Sequence, residues 1–336
     1  MNIDLPILWA LVILFSVMMY VVMDGFDLGI GLLFPWFPDK EDRDVMMNTV
    51  APVWDGNETW LVLGGAGLLA AFPLAYAVVL SAFYLPLMLM LIGLIFRGVA
   101  FEFRFKAPPE RRKRWDIAFA AGSCVATFFQ GVTLGGFVQG VAVDDGRYSG
   151  GPLDWLRPFP LFTGIGLMAA YVLLGSTWLV LKTEGELQQR ARKLAQRAVW
   201  GLLAAIVLIS LWTPLSLPDV ARRWFSWPNL LWLSPVPLLV AISAWQLLRS
   251  LRTQAHWMPF LLTLLLIFLG YSGLGISLWP HVVPPGITIW EASSPPESQG
   301  FALVGALLVM PLVLIYTAFS YWVFRGKVRR GEGYHH

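Results

Sequence analysis

Nine stretches of this chain are apolar for long enough, or nearly long enough, to cross a lipid hydrocarbon core. A core of about 30 Å needs roughly 20 residues of helix. The stretches run from Ile7 to Phe34, Trp60 to Phe72, Tyr76 to Phe96, Ile117 to Val138, Phe159 to Leu181, Ala198 to Leu217, Leu230 to Leu248, Met258 to Trp279 and Phe301 to Phe324. The second is short and spans only if the polar stretch Ala51-Pro-Val-Trp-Asp-Gly-Asn-Glu-Thr-Trp60 forms its first turns, facing protein or water. Pro73 and Pro86 lie in the nearly continuous apolar run that follows, where a tight turn around Phe72 to Ala75 divides two helices. Only 13% of the 336 residues are charged and 57% are apolar, against about 25% charged in soluble domains, too few charges to cover a soluble surface. The expected fold is all-α: one integral membrane domain over residues 1–336, a polytopic bundle of about nine transmembrane helices.

Basic residues set the orientation. Of the 24 Lys and Arg, 20 fall near the odd-numbered connections and the C-terminal segment, and four, Arg147, Arg157, Arg222 and Arg223, near the even-numbered ones. Since cytoplasmic loops carry the excess of Lys and Arg, the N-terminus is expected outside and residues 325–336 as a cytoplasmic tail. A count of eight helices would destroy this alternation. The basic segment Arg104 to Arg114 reads as a topology anchor, not as a nucleic-acid site. The first apolar run lacks a basic start and a small-residue cleavage site, so it reads as a spanning helix, not a signal peptide. Pro284 to Gln299 reads as an ordered external loop, with Trp279 and Trp290 in the interfacial belt.

Carboxylates within apolar segments cost about 2.5 to 3.5 kcal/mol on insertion scales, so each needs a reason. Asp24 and Asp27 share one side of the first helix near its inner end, and Asp55 and Glu58 repeat that spacing at the start of the second. Glu102 and Arg97 lie at the inner end of the third, so acids from three helices are expected at one membrane depth. Two readings stand. Carboxylates sharing a poorly solvated place can hold or pass a proton, which makes a cytoplasmic proton pathway of Asp24, Asp27, Asp55, Glu58 and Glu102. Alternatively, Asp55 and Asn57 cap a helix while Asp24 and Asp27 balance interfacial Arg. Gln130, Thr133 and Gln139 on the fourth helix read as helix-to-helix hydrogen bonds.

Trp54 beside Asp55 could meet a quinone headgroup or simply anchor the chain at the interface, as most of the 17 Trp must do or else pack. Redox ligands are scarce. One cysteine, Cys124, excludes an internal disulfide, and the 11 Met read as packing. Of four histidines, His335 and His336 end the chain, while His256 and His281 bracket the eighth helix about 37 Å apart and cannot share one iron. No metal site and no haem ligand pair is expected in this chain. Buried carboxylates in a polytopic bundle also suit a proton-coupled secondary transporter, the rival reading, although no internal repeat supports it.

The chain resembles subunit II of the cytochrome bd type quinol oxidases, including the cyanide-insensitive branch, over essentially its whole length. The resemblance rests on Met23-Asp-Gly-Phe-Asp-Leu-Gly-Ile-Gly31, Ala51 to Trp60, Phe96-Arg-Gly-Val-Ala-Phe-Glu-Phe-Arg104, Thr183-Glu-Gly-Glu-Leu187 and Trp290-Glu-Ala-Ser-Ser294, five motifs in order. It implies a heterodimer in the bacterial inner membrane with a haem-bearing subunit I that carries haem b and haem d, or b in place of d, and oxidises quinol on the outer side. Dioxygen is reduced with protons drawn from the cytoplasm, which charges the membrane without a pump. The resemblance assigns Asp55 to the proton-admitting carboxylate, Asp24 and Asp27 to the first-helix acids, and Trp54 and Arg97 to a structural quinone bound in some relatives. It implies no catalytic residue here and leaves room for a small single-helix accessory subunit. Glu102 and Glu291 stand where relatives have Asp, which keeps the charge and adds a methylene.

Overall fold

A computed structural model describes residues 4–331. His335, His336 and the last part of the expected tail lie outside the described residues. The chain opens with α1 (Leu5–Leu33), which Asp4 caps through the amide of Ile7, and a 3-10 turn at Phe34–Trp36. A short amphipathic α2 (Lys40–Asn48) leads into α3 (Trp54–Ala71), α4 (Pro73–Ala82), α5 (Tyr84–Lys106) and α6 (Pro109–Gln139). A two-stranded hairpin, β1 (Val143–Asp144) with β2 (Arg147–Tyr148), precedes α7 (Pro158–Lys182) and α8 (Gly185–Ser216). Two short helices, α9 (Pro218–Phe225) and α10 (Asn229–Leu233), lead to α11 (Pro235–Arg252) and α12 (Met258–Leu278). A second hairpin, β3 (His281–Val283) with β4 (Ile287–Thr288), precedes α13 (Pro296–Val323).

Among the described residues, eight helices are long and apolar enough to cross a membrane. Of the nine expected spans, the one not among them is the second, α3. Its 18 residues begin at Trp54, so the polar stretch does form the first turns, and that polarity lowers its mean apolar character. The expected turn between the second and third runs falls at Phe72, with Pro73 at the first position of α4. The third run carries a further break at Phe83, three residues before Pro86.

The basic segment from Arg104 to Arg114 is not a loop. Helix α5 continues to Lys106 and α6 starts at Pro109, so Ala107 and Pro108 alone separate them. Adjacent prolines explain this: neither fits a helix interior, while Pro109 suits a first position. Helix α8 likewise starts well before Ala198, at Gly185. Its added turns are charged on one side, a pattern that an apolar-run search passes over.

From Asp24 to Leu33 every residue of α1 is buried, because α3, α6, α7, α12 and α13 surround it. Close approach needs small residues: a Cβ on Gly29 would run into the carbonyl oxygen of Tyr171, and one on Gly175 into the backbone of Gly29. One end of the bundle gathers the hairpins. There Val141 donates to Pro284 (2.9 Å), Ser294 to Ala71 (2.9 Å) and the Trp9 indole to Gln299 (3.1 Å). The Pro284 to Gln299 segment is ordered as expected, and its own Ile287, Ile289 and Ala292 are buried. At the other end the last described residues fold back. Val328 donates to Lys182 (2.9 Å), and Arg330 reaches Asp42 (2.6 Å), Asp39 (3.1 Å) and Glu41 (3.1 Å).

Candidate functional site

Charged residues of α1 and α3 converge on Arg97 of α5. At 3.6 residues per turn, Asp24 and Asp27 lie about 60° apart on α1, and Asp55 and Glu58 have the same offset on α3. Helix α5 brings Arg97 to the junction of α1 and α3. Its Nη1 donates to Asp24 Oδ1 (2.5 Å) and its Nη2 to Glu58 Oε1. Arg97 and Asp24 have no exposed side-chain surface, whereas Glu58 keeps 28%. Asp27 turns to Asn57, whose Nδ2 donates to it at 2.7 Å, and Tyr321 from α13 donates to Asn57 Oδ1 at 3.0 Å. Asp55 stands exposed in the first turn of α3, one turn before Glu58. Burial therefore forms a gradient, from Asp55 at the surface through Glu58 to Asp24 and Asp27.

The cluster is acid-rich and incompletely paired. Three carboxylates face one guanidinium, and Asp24 Oδ2, Asp27 Oδ1 and Arg97 Nε are buried without a hydrogen-bond partner among the described residues. Buried polar atoms are paired in the great majority of cases, so unpartnered oxygens mark where a proton or water is wanted. A second chain of polar groups starts one turn from Asp24. Tyr171 donates to Gln130 Oε1 (3.0 Å), and Gln130 Nε2 donates to the Tyr20 hydroxyl. Gln130 thus bonds across helices as expected, while Thr133 bonds within its own helix to Phe129 (2.8 Å) and Gln139 leaves its Oε1 without a partner.

Glu102 does not belong to the cluster. Its side chain is 55% exposed and pairs with Lys106 at 3.2 Å. The reason is angular: five residues along α5 place Glu102 about 140° from Arg97, so the two share a depth and not a face. Seven residues bring Arg104 back to within about 20° of Arg97, and Arg104 is fully buried. It donates to Asp116 (2.5 Å) and Asp44 (2.5 Å), while Arg43 also bonds Asp116 (3.0 Å). This second network was hidden because Arg104 looked like the start of a basic loop; its spacing from Arg97 was the available signal.

Trp54 and Arg97 are neighbours. The guanidinium lies 5.9 Å from the indole centroid, and that ring stacks on Phe101 at 4.9 Å. As a quinone site the pair fits poorly. Arg97 is buried with both Nη groups committed to carboxylates, which leaves half-buried Trp54 as the one group of the two that a headgroup could reach. His256 and His281 lie beyond opposite ends of α12, and His256 Nδ1 is 3.2 Å from Gln188 Nε2. Among the described residues no group of three or more His, Cys, Asp or Glu is arranged to hold a metal ion.

Comparison with known proteins gives the same direction. Residues 5–324 match the family model of cytochrome bd terminal oxidase subunit II. The chain is 30% identical to the cytochrome bd-I ubiquinol oxidase subunit 2 of Escherichia coli (strain K12), with 98% of this chain and 96% of that one covered. It is also 30% identical to the cytochrome bd ubiquinol oxidase subunit 2 of Bacillus subtilis (strain 168), with 97% of each covered. In fold it is similar to a chain of the bd oxidase from Geobacillus thermodenitrificans, with a TM-score of 0.72 at 17% identity, over 96% of this chain and 99% of that one. The chain belongs to the cytochrome bd terminal oxidase subunit II family, and so is a multi-pass subunit of an oxidoreductase complex of the bacterial inner membrane.

Proposed function

We propose that this chain is the haem-free subunit of a quinol:dioxygen oxidoreductase, and that it stabilises a haem-bearing subunit I and conducts protons from the cytoplasmic side toward the oxygen-reducing centre. The names of the relatives, ubiquinol oxidase subunits, support the quinol assignment. The Arg97 cluster carries the proton role. A surface carboxylate, a partly buried carboxylate and two buried ones, Asp55, Glu58, Asp24 and Asp27, lie along two packed helices with a fixed cation between them. In this route Asp55 collects the proton, Glu58 passes it inward, and the unpartnered Oδ2 of Asp24 receives it. Arg97 holds the two carboxylates in place without itself releasing a proton, since its guanidinium stays charged. Asp27 acts as a side store held by Asn57 and Tyr321. The route places the N-terminus outside and nine spans in the bilayer, with α3 as the polar one facing protein. Its protons come from the cytoplasm while electrons arrive from quinol on the outer side, so turnover charges the membrane.

The test is Asp55→Asn in the complex assembled with subunit I. Slowed oxygen consumption and proton uptake with unaltered haem spectra support the route. Normal turnover removes Asp55 from it, and a stoichiometric haem in the isolated chain removes the haem-free assignment.

A further inference from the structure

Four of the 24 basic residues lie at the hairpin end of the bundle, and two of them are adjacent. Arg157 is paired with Asp154 at 3.7 Å, and Arg147 sits in the first hairpin. Arg222 and Arg223 instead lie on α9, which docks on the last turn of α12: Arg223 donates to the Ile276 carbonyl (3.0 Å) and the Trp224 indole to Ser277 Oγ (2.8 Å). Beside them opens a cleft of about 710 Å³, lined also by Asn229, Trp232 and His281. Its walls supply guanidinium, amide and imidazole groups around one space. The opposing charge is Asp219, bonded to Arg222 at 2.5 Å. That pair is 78% and 79% exposed, a setting in which ion pairs contribute little, so a stronger anion can take Arg222 from it. Arg223 makes no ion pair among the described residues and is held to a neutral carbonyl.

We infer that this cleft binds the phosphate of an anionic phospholipid at the membrane interface. The occupant follows from the surroundings. Helices α10 and α11 run from the cleft as apolar surface, and Phe225, Trp227 and Trp232 stand exposed around it, as aromatic residues do at the headgroup level. A headgroup phosphate seated on the two arginines leaves its acyl chains along α11 and α12, where exposed Leu238, Leu239 and Leu265 meet hydrocarbon. A soluble anion uses the arginines and none of this apolar surface.

Native mass spectrometry of the complex with its partner subunit tests the inference by titration with short-chain phosphatidylglycerol, phosphatidylcholine of the same chains, and inorganic phosphate. The expected order is phosphatidylglycerol about tenfold tighter than phosphatidylcholine, with inorganic phosphate far weaker. Arg222→Gln with Arg223→Gln is expected to weaken phosphatidylglycerol binding roughly 30-fold. Arg223→Lys keeps most of the affinity, and Arg147→Gln, an exposed arginine at the same end, changes nothing. Equal binding by the double variant and the wild type overturns the inference, and so does inorganic phosphate competing as well as the lipid.

Discussion

Helix α5 carries two fully buried arginines two turns apart, and their surroundings differ in one respect. Around Arg104 the charges balance: Arg43 and Arg104 meet Asp44 and Asp116, joining α2, α5 and α6. Around Arg97 they do not, because Asp24, Glu58 and nearby Asp27 outnumber one guanidinium and keep unpartnered oxygens. A balanced network has no use for a further proton and acts as a clamp. An acid-rich one at the junction of α1 and α3 suits the proposed proton route.

The largest effect should come from Arg97→Met. Removing one partner of a buried pair leaves an uncompensated charge and costs about 3 to 5 kcal/mol, so thermal unfolding of the purified complex should drop sharply or assembly should fail. Adding Asp24→Asn should restore part of that loss; no recovery would mean the pair is not the unit of stability. Next, Glu58→Gln should slow turnover about tenfold at unchanged haem content, below the 10²–10⁴-fold typical of a positioned acid–base group because water can partly bypass a partly exposed site. Asp116→Asn should cost about 1 to 3 kcal/mol through the charge left on Arg104, while turnover per assembled complex stays normal. A loss of turnover there equal to that of Glu58→Gln would erase the distinction between the two networks.

The smallest effect concerns a carboxylate that faces donors only. Asp154, in the connection after the first hairpin, accepts from the Gly151 amide (3.0 Å) and the Tyr148 hydroxyl (3.0 Å). These bonds hold its carboxyl below the usual range, and they help to push the Tyr148 hydroxyl, mainly displaced by burial, up to about 12. A lowered carboxyl contributes order that is present above its unfolded value of about 3.9 and is lost as pH falls through the folded value. The protection factor of the Gly151 amide against hydrogen exchange should therefore fall only in strong acid, and Asp154→Asn should abolish that pH dependence of the protection.

Much of this arrangement is legible in the amino-acid order. Apolar runs locate the helices because the bilayer demands length, and the i, i+3 acids announce one face on α1 and one on α3. Trp54 and Arg97 do meet. Glu102 shows where depth misleads, since rotation about the helix axis separates residues that hydropathy places together. Arg104 shows the converse, a cation assigned to a loop that two prolines in fact confine to two residues. That Asn57 and Tyr321 attend Asp27 carries no local signal, because each lies on a helix remote from it in sequence.

By itself the sequence determined the solvent this chain folds in, the number of its apolar runs and the side on which its basic residues gather, all consequences of summed transfer free energy. Only the tertiary structure decided which buried carboxylate faces which arginine, because that depends on how helices far apart in sequence rotate and cross. The small residues Gly29 and Gly175 bring α1 and α7 together, and the buried half of α1 then presents Asp24 and Asp27 to α3 and α5.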